Sequence, residues 1–105
     1  VLQLPMAEVI NLVVEFYGGS RRVAGMPEIR LGIPSGNSLS WGDVSGELLE
    51  KMPGLKGTVL EATSGELLPS YKINLNGDEF VSQSTAKFKE GDILIIVPSM
   101  SGGSQ

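Results

Sequence analysis

The sequence contains no cysteine and no histidine among its 105 residues. Without cysteine the chain cannot form a disulfide framework, offer a thiolate nucleophile or ligate a metal cluster through sulfur. Without histidine it lacks the most common general base and metal ligand. We therefore expect no catalytic residues, no metal site and no bound cofactor in this chain.

Positive charge and long apolar runs are also scarce. Eight lysines and arginines face twelve aspartates and glutamates, for a net charge of −4. A domain that binds nucleic acid needs a basic face to neutralise phosphates, and no apolar run approaches the roughly 20 residues that cross a bilayer. The sequence predicts neither a nucleic-acid nor a membrane partner, and without an export signal it predicts a cytoplasmic location.

The length of the chain predicts one domain with a modest core. Residues 1–8 are expected to be a disordered start or an expression remnant. Residues 9–98 should form the folded domain, and residues 99–105 a flexible tail that contains a Gly-Gly pair.

The first part of the chain predicts a hairpin. Alternating apolar residues over 9–17 indicate a strand. Its core face should carry Leu12, Val14 and Phe16. A loop over residues 18–27, rich in glycine and carrying Arg21 and Arg22, should lead to a second strand over residues 28–33.

A helix is predicted to follow the hairpin. Ser40 is a favourable N-cap, and Asp43 three residues later completes a variant of the capping box. Apolar residues then recur at helical spacing, which predicts that this helix crosses the sheet. They are Trp41, Val44, Leu48, Leu49 and Met52. Pro53-Gly54 should end the helix.

The remainder predicts further strands. Residues 58–62 fit either a short strand or a helical turn. Residues 71–75 alternate cleanly, Asn76-Gly77 is a strong hairpin turn signal, and residues 78–82 should form the return arm. Residues 93–97 lack polar alternation, as a central strand does. The order predicts an α+β fold, with the β-grasp as natural candidate: a mixed sheet of four to five strands crossed by one main helix.

The segment from Gly91 to Gly103 is the part of the chain that is most informative about function. It reads G-D-I-L-I-I-V-P-S-M-S-G-G, passing from a turn through an apolar strand to Pro98, which has no N–H and should stop the strand. The five residues from Ser99 to Gly103 would span at most roughly 16–18 Å when extended. An arm of that length can enter another protein.

These parts resemble the C-terminal signature of the MoaD/ThiS family of ubiquitin-like sulfur carriers. In that family a Gly-Asp turn, five mostly apolar residues, a proline pair and a terminal Gly-Gly follow one another at these intervals. The matching residues here are Gly91, Asp92, Pro98, Gly102 and Gly103. Ser99 replaces the second proline. Residues 16–25 and 73–77 show weaker similarity to the same family. The stretch V-E-F-Y-G-G over residues 14–19, followed by a longer middle of the chain, also resembles the eukaryotic ubiquitin-related modifier and archaeal small modifiers.

The resemblance implies a protein that is the substrate of an enzyme and not itself an enzyme. An adenylating enzyme would draw Gly102 and Gly103 into a narrow channel, where glycine allows close approach, and would activate the terminal carboxylate with ATP. The product would be a thiocarboxylate for sulfur delivery, as in molybdenum cofactor biosynthesis, or an amide to a lysine. The implied partners are that enzyme and either the molybdopterin synthase large subunit or target-protein lysines.

The resemblance also implies a partner interface. Its residues are Tyr17, Arg21, Phe80, Val97, Pro98 and Met100. If Leu94 and Ile96 face the helix, alternation places Val97 on an apolar outer face, and exposed apolar surface is typical of a binding site. The alternative is that the loop over residues 55–70 covers that face.

Two functions therefore stay open. One is a sulfur carrier or protein modifier, and the alternative is a non-covalent β-grasp interaction module with an inert tail. The first requires a free carboxylate on Gly103, so Ser104-Gln105 are either residues of a precursor that a processing protease removes or an expression remnant. The exposed tail expected here would be open to such cleavage.

Overall fold

Five strands form one mixed sheet in the computed structural model, which describes residues 8–99. The predictions for Met100, Gly102 and Gly103 lie outside these residues. In chain order the elements are β1 (Val9–Phe16), α1 (Gly19–Ala24), β2 (Glu28–Pro34), α2 (Trp41–Lys51), a 3-10 turn (Pro53–Leu55), β3 (Tyr71–Leu75), β4 (Glu79–Val81) and β5 (Ile93–Pro98).

The last strand lies at the centre of the sheet, as predicted. The strand order is β2-β1-β5-β3-β4, with β5 parallel to β1 and antiparallel to β3. Leu94 and Ile96 of β5 are fully buried against the core, as are Val14 and Phe16 beside them on β1. The predicted core face of the first strand is confirmed.

Helix α2 crosses the inner face of the sheet and is capped as the sequence predicted. The Ser40 hydroxyl accepts the N–H of Asp43, and the Asp43 carboxylate accepts the N–H of Ser40 at 2.9 Å. Trp41 is buried, and its indole N–H donates to the carbonyl of Gly65 at 2.9 Å. This bond fastens the long connection after α2 to the start of the helix.

The prediction of a loop over residues 18–27 is wrong, because the middle of this stretch forms the short helix α1. The helix ends where Gly25 adopts a left-handed conformation and donates its N–H to Arg21 O. Ser20 is buried and donates to Tyr17 O, so one turn is anchored by side-chain bonding. Six residues are too few to show a helical period, and the flanking glycines indicate a loop equally well. The fold therefore has a second, smaller helix in addition to α2.

The connection from residue 56 to residue 70 contains neither a full strand nor a helix. Leu60 makes only isolated bridges, to Lys56 and to Leu67. Within it, Glu61 accepts the Thr63 hydroxyl and the N–H groups of Ser64 and Thr63, which lower the pKa of Glu61 to about 2. This segment is ordered by local side-chain bonds and by burial, for which the sequence carries no periodic signal.

Within residues 8–99, no helix is long and apolar enough to cross a membrane.

Candidate functional site

The turn before β5 is held by a buried carboxylate. Gly91 has a φ of 86°, and the Asp92 side chain that follows is only 3% exposed. Its carboxylate accepts the Lys89 N–H at 2.9 Å, the Asn76 amide at 3.1 Å and the Lys89 ammonium at 3.2 Å. Burial alone would raise the pKa of Asp92, but these hydrogen bonds outweigh burial and lower the pKa. Asp92 therefore has a structural role.

Asn76 joins this turn to the neighbouring hairpin. Besides donating to Asp92, its side-chain oxygen accepts the N–H of Ile93 at 2.7 Å, and its backbone N–H donates to Ile93 O at 2.7 Å. Asn76 and Gly77 both have positive φ, which is the geometry of the predicted Asn-Gly turn. The start of β5 is thus fixed from β3 as well as from β1.

The end of β5 is the last part of the tail that the structure describes. Pro98 pairs with Tyr71 as the final residue of the strand, and the Ser99 N–H donates to Ser70 O at 2.7 Å. The predicted tail begins at Ser99, but the backbone of Ser99 is still bonded to the sheet.

Two glycines allow the end of β5 to lie against the start of α1. A Cβ on Gly18 would lie 2.6 Å from Cγ of Pro98, and a Cβ on Gly19 would lie 2.6 Å from the Tyr71 hydroxyl. Real Cβ atoms are essentially never that close to another atom. Gly18, Gly19, Tyr71 and Pro98 therefore form a close contact, which we call the exit collar, where the chain leaves the sheet.

The outer face of the sheet carries an apolar row along β1 and β5, with polar side chains such as Glu15 and Asn74 on either side of it. Val13 and Ile93 lie side by side on β1 and β5, and Ile95 and Val97 continue the row toward the exit collar. All four are half-buried. Phe80 on β4 borders the row and is 56% exposed.

The loop over residues 55–70 does not cover this face. Its apolar side chains Leu55, Val59, Leu60 and Leu67 belong to the core cluster that contains Leu94 and Ile96, on the other side of the sheet. The alternative of a covered outer face is therefore wrong for residues 8–99.

Tyr17 and Arg21 lie together at the collar end of this face. The Tyr17 hydroxyl donates to Glu15 Oε1 at 3.1 Å, and the Arg21 guanidinium lies 4.9 Å from the centre of the Tyr17 ring. Arg21 Nε donates to Phe16 O at 2.9 Å, which holds the guanidinium beside the end of β1. The hydrogen bond to Glu15 and that carboxylate's charge raise the pKa of Tyr17, so the hydroxyl stays neutral.

Phe80 and Val97 are linked through a residue that the sequence did not single out. Lys72 pairs with Val97 across the strands, and its ammonium lies 4.2 Å from the centre of the Phe80 ring. Such a cation–π contact at an exposed site is worth about 0.5–1 kcal/mol. Lys72 follows Tyr71 in a clean alternation, so its face was predictable, but its contact with β4 depends on the hairpin register.

The structure thus brings four of the predicted interface residues, Tyr17, Arg21, Phe80 and Val97, to one end of the outer face. Pro98 ends the same strand, but alternation places its ring on the opposite face, that of Leu94 and Ile96. The role of these four residues and of Pro98 in binding stays a prediction. Among residues 8–99, no three or more aspartate, glutamate, histidine or cysteine side chains come together to hold a metal ion.

No protein-family model and no curated protein matches the chain. Solved structures do match it. The crystal structure of small archaeal modifier protein 1 from Haloferax volcanii gives a TM-score of 0.69 at 26% identity, covering 89% of this chain and 99% of that one. The solution structure of small archaeal modifier protein 1 from Methanosarcina acetivorans gives 0.66 at 26% identity, covering 91% and 99%.

This chain has the ubiquitin-like β-grasp fold of the small archaeal modifiers. A molybdopterin converting factor subunit 1 from Pyrococcus furiosus shares that fold, with a TM-score of 0.64 at 22% identity over 85% of this chain and 97% of that one. Both groups that the sequence resembles are therefore among its structural neighbours, and the predicted β-grasp fold is confirmed.

Proposed function

We propose that this chain is a ubiquitin-like sulfur carrier or protein modifier whose Gly103 carboxylate is adenylated by a partner enzyme. The observation that carries the proposal is the position of β5: the strand that precedes the Gly-Gly pair in the sequence lies at the centre of the sheet and carries an apolar row on the outer face. The neighbours named as small archaeal modifiers and as a molybdopterin converting factor subunit support it.

The proposed chemistry uses only the terminal carboxylate of this chain. A carboxylate oxygen of Gly103 attacks the α-phosphorus of ATP, the bond to the β-phosphate oxygen breaks, and pyrophosphate leaves. A hydrosulfide ion or a lysine amine then attacks the carbonyl carbon of the adenylate, the bond to the phosphate oxygen breaks and AMP leaves, which gives a thiocarboxylate or an amide. The enzyme supplies ATP and the catalytic groups, so this chain acts as a substrate.

The position of Ser99 limits how far the tail can reach. Four residues, from Met100 to Gly103, follow the last described bond to the sheet, and they span at most roughly 13–14 Å when extended. An enzyme that binds the Gly103 carboxylate must therefore come close to the exit collar, and the apolar row beside it is the surface that we propose it covers. We infer that Val97, Phe80, Tyr17 and Pro98 contact this enzyme and that Arg21 pairs with one of its carboxylates.

Ser104 follows Gly103 in the sequence, so the peptide bond between them must be hydrolysed before activation. We propose a processing protease for that step. The molybdopterin synthase large subunit or target-protein lysines would accept the activated group, and the cytoplasm remains the predicted location.

An exchange assay tests the proposal. The chain shortened to end at Gly103 is incubated with the adenylating enzyme of the same organism, ATP and labelled pyrophosphate. We expect label to enter ATP, and we expect no exchange when Gly103 is also deleted. Exchange that is equally strong without Gly103, or no exchange from either chain, would favour the non-covalent module with an inert tail.

A further inference from the structure

Strand β2 forms an edge of the sheet with unpaired backbone groups. The Phe16 N–H donates to Pro27 O and the Ser35 N–H donates to Glu8 O, both at 2.8 Å. Because antiparallel bonding alternates, the odd-numbered residues of β2 bond to β1, and Glu28, Arg30 and Gly32 direct their N–H and C=O groups away from the sheet. No strand within residues 8–99 pairs with that side of β2.

The charges on this edge are poorly matched within one chain. Glu28 lies directly opposite Glu15 of β1, and like charges in that position are destabilising. Arg30 lies opposite Val13, so it has no acidic partner across the strands. Its nearest carboxylate is that of Glu28 at 4.0 Å, and the Arg30 side chain is 85% exposed.

A second copy of the same edge supplies opposite charges directly across the strands. When two β2 strands pair antiparallel about a two-fold axis at Ile29, Glu28 lies opposite the partner's Arg30 and Arg30 lies opposite the partner's Glu28. A shift of two residues in one direction places two arginines opposite each other, and a shift in the other direction places two glutamates there. The charges therefore select one register.

The same register fits the surface beside the edge. Gly32 has no side chain and lines a depression of about 510 Å³ together with Asn11, Val13 and Gly91. Asn11 Oδ1 and Val9 Cγ1 border the position of its missing Cβ, each at 3.2 Å. Continuing the pairing places Gly32 opposite the partner's Met26, and Met26 is a large apolar side chain that is 40% exposed in the single chain. Covering Met26 with this surface would remove apolar area from water, which favours association.

We propose that two copies of this chain associate through their β2 edges, antiparallel and in this register, so that two five-stranded sheets become one continuous sheet. Such a contact is isologous, since each copy uses the same patch. It adds backbone hydrogen bonds along the free edge and pairs each Glu28 with an Arg30. The proposal does not depend on the tail, because β1 separates β2 from β5.

Sedimentation equilibrium over a range of protein concentrations tests it. Glu28→Arg should raise the dissociation constant of the dimer about tenfold or more, because symmetry creates two arginine–arginine contacts. Arg30→Glu should act likewise by creating two glutamate–glutamate contacts. The double variant Glu28→Arg/Arg30→Glu re-forms both pairs and should restore dimerisation. Glu50→Arg, a charge reversal at an exposed position of α2, is the matched control and should have no effect.

Amide exchange of the full chain adds a second readout. The N–H groups of Glu28, Arg30 and Gly32 should gain protection as concentration rises, while that of Leu31, already bonded to β1, should not change. A chain that stays monomeric up to about 1 mM would overturn the proposal. At that concentration the absence of a dimer means that the free energy of association is weaker than about 4 kcal/mol. A dimer that tolerates both single reversals, or whose double variant fails to recover, would also overturn the proposal.

Discussion

Replacing Val97 by aspartate should weaken the complex with the adenylating enzyme about 30-fold or more, which is the effect of losing a central interface residue. Val97 is half-buried in the free chain and lies beside the exit collar, so it would be covered when the enzyme binds the tail. In the free chain the new carboxylate lies opposite the Lys72 ammonium, which should keep the domain folded. In the complex both charges would lose water, and that desolvation opposes binding.

Val9→Asp is the matched control for this prediction. It is the same substitution in a strand of the same sheet, but Val9 pairs with Pro34 at the opposite end of β1 and is already 48% exposed. Titration calorimetry should find near-normal binding for Val9→Asp and weak binding for Val97→Asp. Normal binding by a folded Val97→Asp chain would remove the outer face from the proposed interface.

Replacing Gly18 by alanine should destabilise the domain by about 3 kcal/mol, a large part of the 5–15 kcal/mol typical of a domain. Gly18 has φ 65° and ψ −136°, a region that is open almost only to glycine. The added Cβ would also overlap the Pro98 ring, so the end of β5 must move. We therefore expect a higher KM for the chain as substrate in the exchange assay.

Gly25→Ala separates the two contributions. Gly25 also has a positive φ, of 75°, but a Cβ there has no atom within 4 Å. We expect Gly25→Ala to lower the free energy of unfolding by about 1 kcal/mol, which is the effect of the left-handed backbone alone, and to leave KM unchanged. Urea unfolding and exchange kinetics measure both variants. Equal effects of the two substitutions would show that the contact between Gly18 and Pro98 does not position the tail.

The sequence predicted those parts of the fold that depend on local patterns. The capping residues Ser40 and Asp43, the Asn76-Gly77 turn and the apolar run of the last strand each act over a few residues, and all three are confirmed. Helix α1 could not be predicted from the sequence, because six residues are too few to show a helical period. The structure of the connection after α2 could not be predicted either, because groups distant in the sequence order it. One example is the Leu67 N–H, which donates to the Gln83 side chain at 2.7 Å.

In the candidate site, too, some features could be predicted from the sequence and others could not. Alternation along the strands placed Val97 and Tyr17 on the outer face, and a resemblance in spacing identified the tail. The exit collar needed the structure, since Gly18 and Pro98 are far apart in the sequence and nothing near Gly18 indicates a proline neighbour. The bond between Asn76 and Asp92 likewise joins two turns whose contact depends on the strand order.

The most direct test of the central claim is the intact mass of this protein isolated from its native host. If the chain is a carrier or modifier, its working end is Gly103. The expected species then ends at Gly103, with one carboxylate oxygen replaced by sulfur or with the carboxylate joined to a lysine of another protein. Protein found only with Ser104-Gln105 still attached to Gly103 would contradict the account.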